Sequence, residues 1–195
     1  MNKRFILCVL LFIGTLIYAN SLLAQNVLQG DSSYLGVQCY QADRKLVSKK
    51  LGYHYRKKKL MSHYTAKLRG GGCISGVSVY GTACFYKKKG VILEFREKRH
   101  NEILEKIHFV APSTITSSRG ITRGVASFAD VVDSYGTINF DKKDNALPSM
   151  QEVTGNQGQV WYTSLCYPGI RFLSIGRRKP GEDILRRKVD EIWLE

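Results

Sequence analysis

Gly120-Ile121-Thr122-Arg123-Gly124-Val125-Ala126-Ser127-Phe128-Ala129-Asp130-Val131-Val132-Asp133-Ser134-Tyr135-Gly136 reads as an extended opening, one short amphipathic helix and a glycine stop. Ser127 is a residue type that caps a helix start by accepting from an unpaired backbone N–H. Gly136 stands where the residue after the last turn takes a positive φ. Between them, Phe128, Val131, Val132 and Tyr135 recur at helical spacing and share one face.

The same pattern occurs 84 residues earlier without a gap. Gly36 falls on Gly120, Val37 on Ile121, Val47 on Val131, Leu51 on Tyr135 and Gly52 on Gly136. Strand-like runs then follow in the same order: Leu93-Glu94-Phe95 is answered by Ile170-Arg171-Phe172, and Lys106-Ile107-His108-Phe109 by Glu191-Ile192-Trp193-Leu194. This predicts an α+β fold of two tandem units, each a helix followed by an antiparallel meander. The first unit spans 34–111 and the second 119–195, with a short polar linker over 112–118.

Outside these units, residues 1–24 read as an export signal: Lys3 and Arg4, an apolar run from Phe5 to Tyr18, and small Ala24 before Gln25. The run is shorter than the roughly 20 residues a membrane span needs. Cleavage near Ala24 would leave a periplasmic or secreted product with a flexible start over 25–33. Four cysteines then remain, Cys39, Cys73, Cys84 and Cys166. In an exported protein they allow two disulfides in any of three pairings, and equally allow cysteine packed as a small hydrophobe.

The chain of 195 residues carries a formal charge of +14, and loss of Lys3 and Arg4 leaves +12. Ten Lys and Arg residues lie from Arg44 to Arg69 with no Asp or Glu among them. Behind an export signal the polyanions within reach are anionic lipid, acidic glycan or an acidic protein rather than nucleic acid. A solvated basic loop is the plain alternative.

Element by element, a first helix is expected at about Asp43–Leu51, with Leu46, Val47 and Leu51 inward. Tyr53–Lys59 should be a hairpin strand whose tip carries Arg56, Lys57, Lys58 and Lys59, and Gly70-Gly71-Gly72 a turn. Ile74–Tyr86, Val91–Arg96 and Leu104–Val110 should be strands, with Lys87–Gly90 turning the first hairpin. In the second unit, Thr137–Gly158 should be a long irregular loop and the best place for function. Gln159–Tyr167, Ile170–Ile175 and Lys188–Leu194 should be strands.

The Gly-Ile/Val opening, the helix ending in Tyr/Leu-Gly and the Gly-Ile-x-Phe strand at Gly169–Phe172 resemble the small bacterial envelope domains related to the SmpA-type outer-membrane-assembly lipoprotein. Two such units in tandem look like the β-lactamase inhibitor protein (BLIP-like) architecture. That resemblance implies sheets joined side by side, helices on one face and an open concave face on the other. The basic stretch and the loop before Gln159 depart from the pattern.

No linear motif marks a catalytic centre. Gly-x-Ser-x-Gly, His-Glu-x-x-His and a glycine-rich phosphate loop are all missing from the sequence. Cys39, His54, His63 and Cys73 are 15, 9 and 10 residues apart, which matches no zinc-ligand pairing. No enzyme activity, cofactor or metal is therefore expected, and a hydrolase is the weakest alternative. Strand alternation instead places Glu94, Arg96, Lys106, His108, Arg171, Glu191 and Trp193 together on the open face, where Trp and Arg suit protein recognition. The function expected is a non-catalytic protein-binding module, whether scaffold, assembly factor, inhibitor or immunity protein. The alternative is an electrostatic adaptor for anionic lipid or glycan.

Overall fold

Eight antiparallel strands form one continuous sheet backed by two short helices, a mostly antiparallel α+β fold. The computed structural model describes residue 28 and residues 30–67, 73–98, 101–138, 147–155 and 160–195. Of residues 63–67, 73, 74, 154 and 155 it describes the backbone alone. The expected export signal and the Gly70–Gly72 turn lie outside the described residues.

A small hairpin comes first, β1 (Ser33–Tyr34) with β2 (Val37–Gln38), and then α1 (Arg44–Leu51). Asp43 caps α1 by accepting from the Leu46 N–H at 2.7 Å, and Gly52 ends it at φ 92°. The expected inward set changes by one residue: Val47, Ser48 and Leu51 are buried, whereas Leu46 is 40% exposed. A helix this short buries a narrow stripe, and small Ser48 fits between Val47 and Leu51 where it meets the sheet.

Four strands follow: β3 (Arg56–Lys67), β4 (Cys73–Tyr86), β5 (Val91–Lys98) and β6 (Asn101–Phe109). A 3-10 turn over Lys87–Lys89 and left-handed Gly90 link β4 to β5. Then comes α2 (Phe128–Tyr135), whose start carries a full capping box between Ser127 and Asp130. Four more strands close the chain: β7 (Ser149–Gly155), β8 (Val160–Tyr167), β9 (Ile170–Ile175) and β10 (Glu191–Leu194).

Their order in the sheet is β3-β4-β5-β6-β10-β9-β8-β7, so the two meanders meet through their last strands. At that seam Ile192 faces Phe109, Trp193 faces His108 and Leu194 faces Ile107. The ladders also correct one expected correspondence. Phe109 and Ile107 face Val91 and Leu93, as Leu194 and Ile192 face Ile170 and Phe172. Ile170-Arg171-Phe172 therefore matches Val91-Ile92-Leu93, two residues before Leu93-Glu94-Phe95.

One face of the sheet holds the main core. Val47 and Leu51 of α1, Phe128 and Val131 of α2, and Leu93, Phe95, Ile107, Phe109, Phe172 and Leu194 form a single buried cluster. Four of its phenylalanines are fully buried, each contributing about 1.5–3 kcal/mol by removal from water.

Three further expectations need correction. Leu28, inside the stretch expected to be a flexible start, is 2% exposed and donates its N–H to the Thr116 carbonyl, so this residue packs. The 112–118 linker buries Ile115 and Ser117, because a chain crossing the core must put alternate side chains into it. The Thr137–Gly158 stretch contains β7, which pairs with β8 along its whole length. Residues 139–146 and 156–158 of that stretch lie outside the described residues.

Candidate binding face of the sheet

Cross-strand register builds the face opposite the helices. A single row of side chains crosses all eight strands: Arg56, Phe85, Ile92, His108, Trp193, Arg171, Cys166 and Ser149. A neighbouring row runs Lys58, Ala83, Glu94 and Lys106. Because successive side chains in a strand alternate between faces, none of these meets the core beneath. The middle of these rows, from Phe85 and Ile92 to His108 and Trp193 and from Lys58 to Lys106, lines a concave groove of about 990 Å³ together with Tyr80, Tyr162 and Glu191.

The floor of the groove is aromatic. His108 and Trp193 stack with centroids 4.2 Å apart, and Tyr162 meets the indole edge-on at 5.8 Å. Tyr162, Leu173 and Trp193 form a second apolar cluster, separate from the main core. Trp193 lies on this face as alternation places it, but it is 7% exposed and His108 8%. Stacked on each other, with Tyr162 against the indole, they shape the floor and do not protrude.

Half-buried carboxylates flank that floor. Glu191 accepts from the Trp193 indole N–H at 2.8 Å and from the Tyr162 hydroxyl at 2.9 Å. Burial pushes its carboxyl above the usual range, and those two donors pull the other way. Glu94 is likewise pushed up by burial, with Lys106 opposing. His108 is forced down to about 3, first by burial and then by the Lys106 charge. Its Nε2 is buried without a hydrogen-bond partner and lies 3.7 Å from Glu94 Oε1, too far for a bond.

Charges at the margins are mostly matched. Lys106 and Arg171, from opposite halves, both reach the Glu195 carboxylate, at 2.9 and 2.8 Å. Exposed Arg96 pairs with Glu105 at 2.7 Å. Arg56, Lys57, Lys58 and Lys59 are different. They are not the tip of a hairpin but the first residues of β3 at the sheet edge, all four exposed and none in an ion pair with a described residue.

The structure thus brings Trp193, His108, Arg171, Glu94, Arg96 and Lys106 to one face, as alternation predicted, with Arg56 and Lys58 at its rim. The sequence reading missed Phe85, Ile92, Tyr80 and Tyr162. Alternation carried the signal for Ile92, which must face away from the core if Val91 and Leu93 face it.

Cys39, Cys84 and Cys166 are buried free thiols in three separate surroundings. Cys39 Sγ points to the Leu194 carbonyl, Cys84 sits opposite Leu93, and Cys166 contacts Ser164 Oγ at 3.3 Å. Burial raises the pKa of each, that of Cys39 to about 12, which keeps them protonated. Among the described residues no cluster of three or more His, Cys, Asp or Glu could hold a metal ion, and no helix is long and apolar enough to cross a membrane. Compared with family models, curated proteins and solved structures, the chain matches none.

Proposed function

We propose that this is an exported, non-catalytic binding protein that recognises another protein through the concave face of its sheet. One observation carries the reading: the groove of about 990 Å³ has its aromatic floor held by cross-strand stacking and its rim set with charge, while both helices pack on the other face. A partner's projecting side chains would meet half-buried Phe85 and Ile92 and lie within reach of Glu94 and Lys106. Apolar anchors ringed by charge are the anatomy of protein-recognition sites.

The finer architecture belongs to the same proposal. Two helix-plus-meander halves, joined where His108 meets Trp193, fit a duplicated αβ unit arranged as in BLIP-like proteins. Site-specific crosslinking tests the reading. A photoreactive residue at Ile92 should capture a protein partner in envelope extract at physiological salt. The same residue at Tyr53, which is 72% exposed and away from the groove, should not. Equal capture from both positions, or none from Ile92, would refute recognition through this face.

A further inference from the structure

β3 is one end of the sheet, and alternate residues along its 12 positions direct backbone N–H and C=O groups outward with no strand among the described residues to receive them. At the other end is β7, with 7 residues. The two edges differ in charge. On β7 the one acid, Glu152, is engaged by Arg177 at 3.7 Å and by the Arg178 N–H at 3.0 Å. On β3 four consecutive cations, Arg56 to Lys59, are exposed and have no ion-pair partner among the described residues. They divide between the faces: Lys58 lies beside Ala83 and Glu94 on the groove side, and Lys57 beside Cys84 on the helix side. Next to them come half-buried Leu60 and Met61, which is 46% exposed.

We infer that the β3 edge takes an extended acidic segment of the partner protein as a ninth strand. That segment would carry about four consecutive Asp or Glu residues beside two apolar ones. Cross-strand neighbours sit about 4.5–5.5 Å apart, close enough for acids on both faces of the added strand to pair with Arg56–Lys59. The apolar pair would cover Leu60 and Met61. A second copy of this chain does not fit: β3 carries no Asp or Glu to offer another β3, and β7 offers one acid that is already engaged. A lipid surface could neutralise the lysines but could not satisfy the outward backbone row. The inference rests on the protein being a protein-binding module; β3 forms one wall of the groove, but edge pairing does not require contact with the His108–Trp193 floor.

The probe is a ten-residue peptide with four consecutive glutamates followed by two valines, offered to the 25–195 protein. Two further versions carry backbone N-methyl groups on the odd or on the even residues. Strand pairing uses one backbone edge of the peptide, so one methylated version should bind like the parent and the other should lose about tenfold or more. Hydrogen exchange should slow within Arg56–Ser62 when the parent binds. The triple variant Lys57→Glu, Lys58→Glu, Lys59→Glu should weaken binding about tenfold or more while leaving the unfolding midpoint in place.

Equal affinity for all three peptides would overturn the inference in favour of contact through charge alone, as would no binding. So would anionic phosphatidylglycerol vesicles that bind the wild-type protein but not the triple variant, when the peptide binds neither and β3 exchange is unchanged. Concentration-dependent dimerisation that protects β3 would assign the edge to a second copy. Partner crosslinking at Ile92 without protection of β3 would leave the groove reading intact and overturn this one.

Discussion

His108 and Trp193 face each other across the seam between β6 and β10, with their rings stacked 4.2 Å apart. They join the two meanders on the side away from the main core, where the helices give no support. Beneath them Ile107 and Leu194 do the same on the core side. The seam is therefore clamped from both faces, and its upper clamp doubles as the floor of the groove.

Removing the indole should open both. Trp193→Ala deletes a nearly buried ring that Tyr162 and His108 pack against, and losses of this kind cost about 3–5 kcal/mol. His108→Phe should behave in the opposite way. It keeps a flat ring on Trp193 and removes the unpartnered Nε2, so chemical denaturation should show stability raised by about 1 kcal/mol. A loss as large as that of Trp193→Ala would mean that Nε2 has a partner after all.

The depressed pKa of His108 makes a pH prediction with a definite sign. In the unfolded chain it protonates near 6.5, and in the fold only near 3. Between those values the unfolded state binds more protons, so this residue's contribution to stability falls as the pH drops from about 6.5 towards 3. The slope is at most about 1.4 kcal/mol per pH unit. Glu94 and Glu191, both raised by burial, act in the reverse sense as they protonate in the fold. The stability difference between His108→Phe and wild type isolates the histidine. It should be flat above pH 7 and widen steadily in favour of Phe below it, and a flat difference down to pH 4 would contradict a buried neutral imidazole.

The strands around this seam were legible because alternation is a local property. Val91, Leu93 and Phe95 point one way wherever β5 lies, so Ile92, Glu94 and Arg96 must point the other. How far the open face is covered was not legible. Whether Trp193 protrudes depends on His108 and Tyr162 from other strands, and no local spacing reports that. β7 was hidden for a related reason: Ser149–Gly155 has weak alternation of its own and becomes a strand by pairing with β8. The lysines of β3 misled in another way, since a run of four cations reads as a solvated tip until an edge position gives it one exposed side.

Helix α1 offers a test of the one inward residue that spacing misplaced. Leu46→Lys, on the exposed side, should change stability by no more than about 0.5 kcal/mol. Val47→Ala, at 1% exposure, should cost about 1–2 kcal/mol through lost burial and the space left behind. Thermal unfolding of the pair decides the matter, and equal costs would put Leu46 back in the core.

The ends of α2 separate hydrogen bonding from backbone conformation. At its start the Ser127 hydroxyl accepts from the Asp130 N–H, while the Asp130 carboxylate accepts from the Ser127 N–H at 2.7 Å. Ser127→Ala should cost about 1 kcal/mol. The Ser127 N–H and hydroxyl hold the Asp130 carboxyl below its ordinary range, so the reciprocal bond adds stability above that range and loses it as the pH falls through the depressed pKa. At the other end Gly136 sits at φ 98° and ψ 166°, and nothing lies within 4 Å of where a Cβ would be. Gly136→Ala therefore meets no clash, and whatever it costs comes from the backbone angles alone, about 1–3 kcal/mol. Gly136→Asn should recover little of that loss, because this conformation lies outside the left-handed helical region that asparagine tolerates. An alanine variant as stable as wild type would show that the helix can end in another conformation.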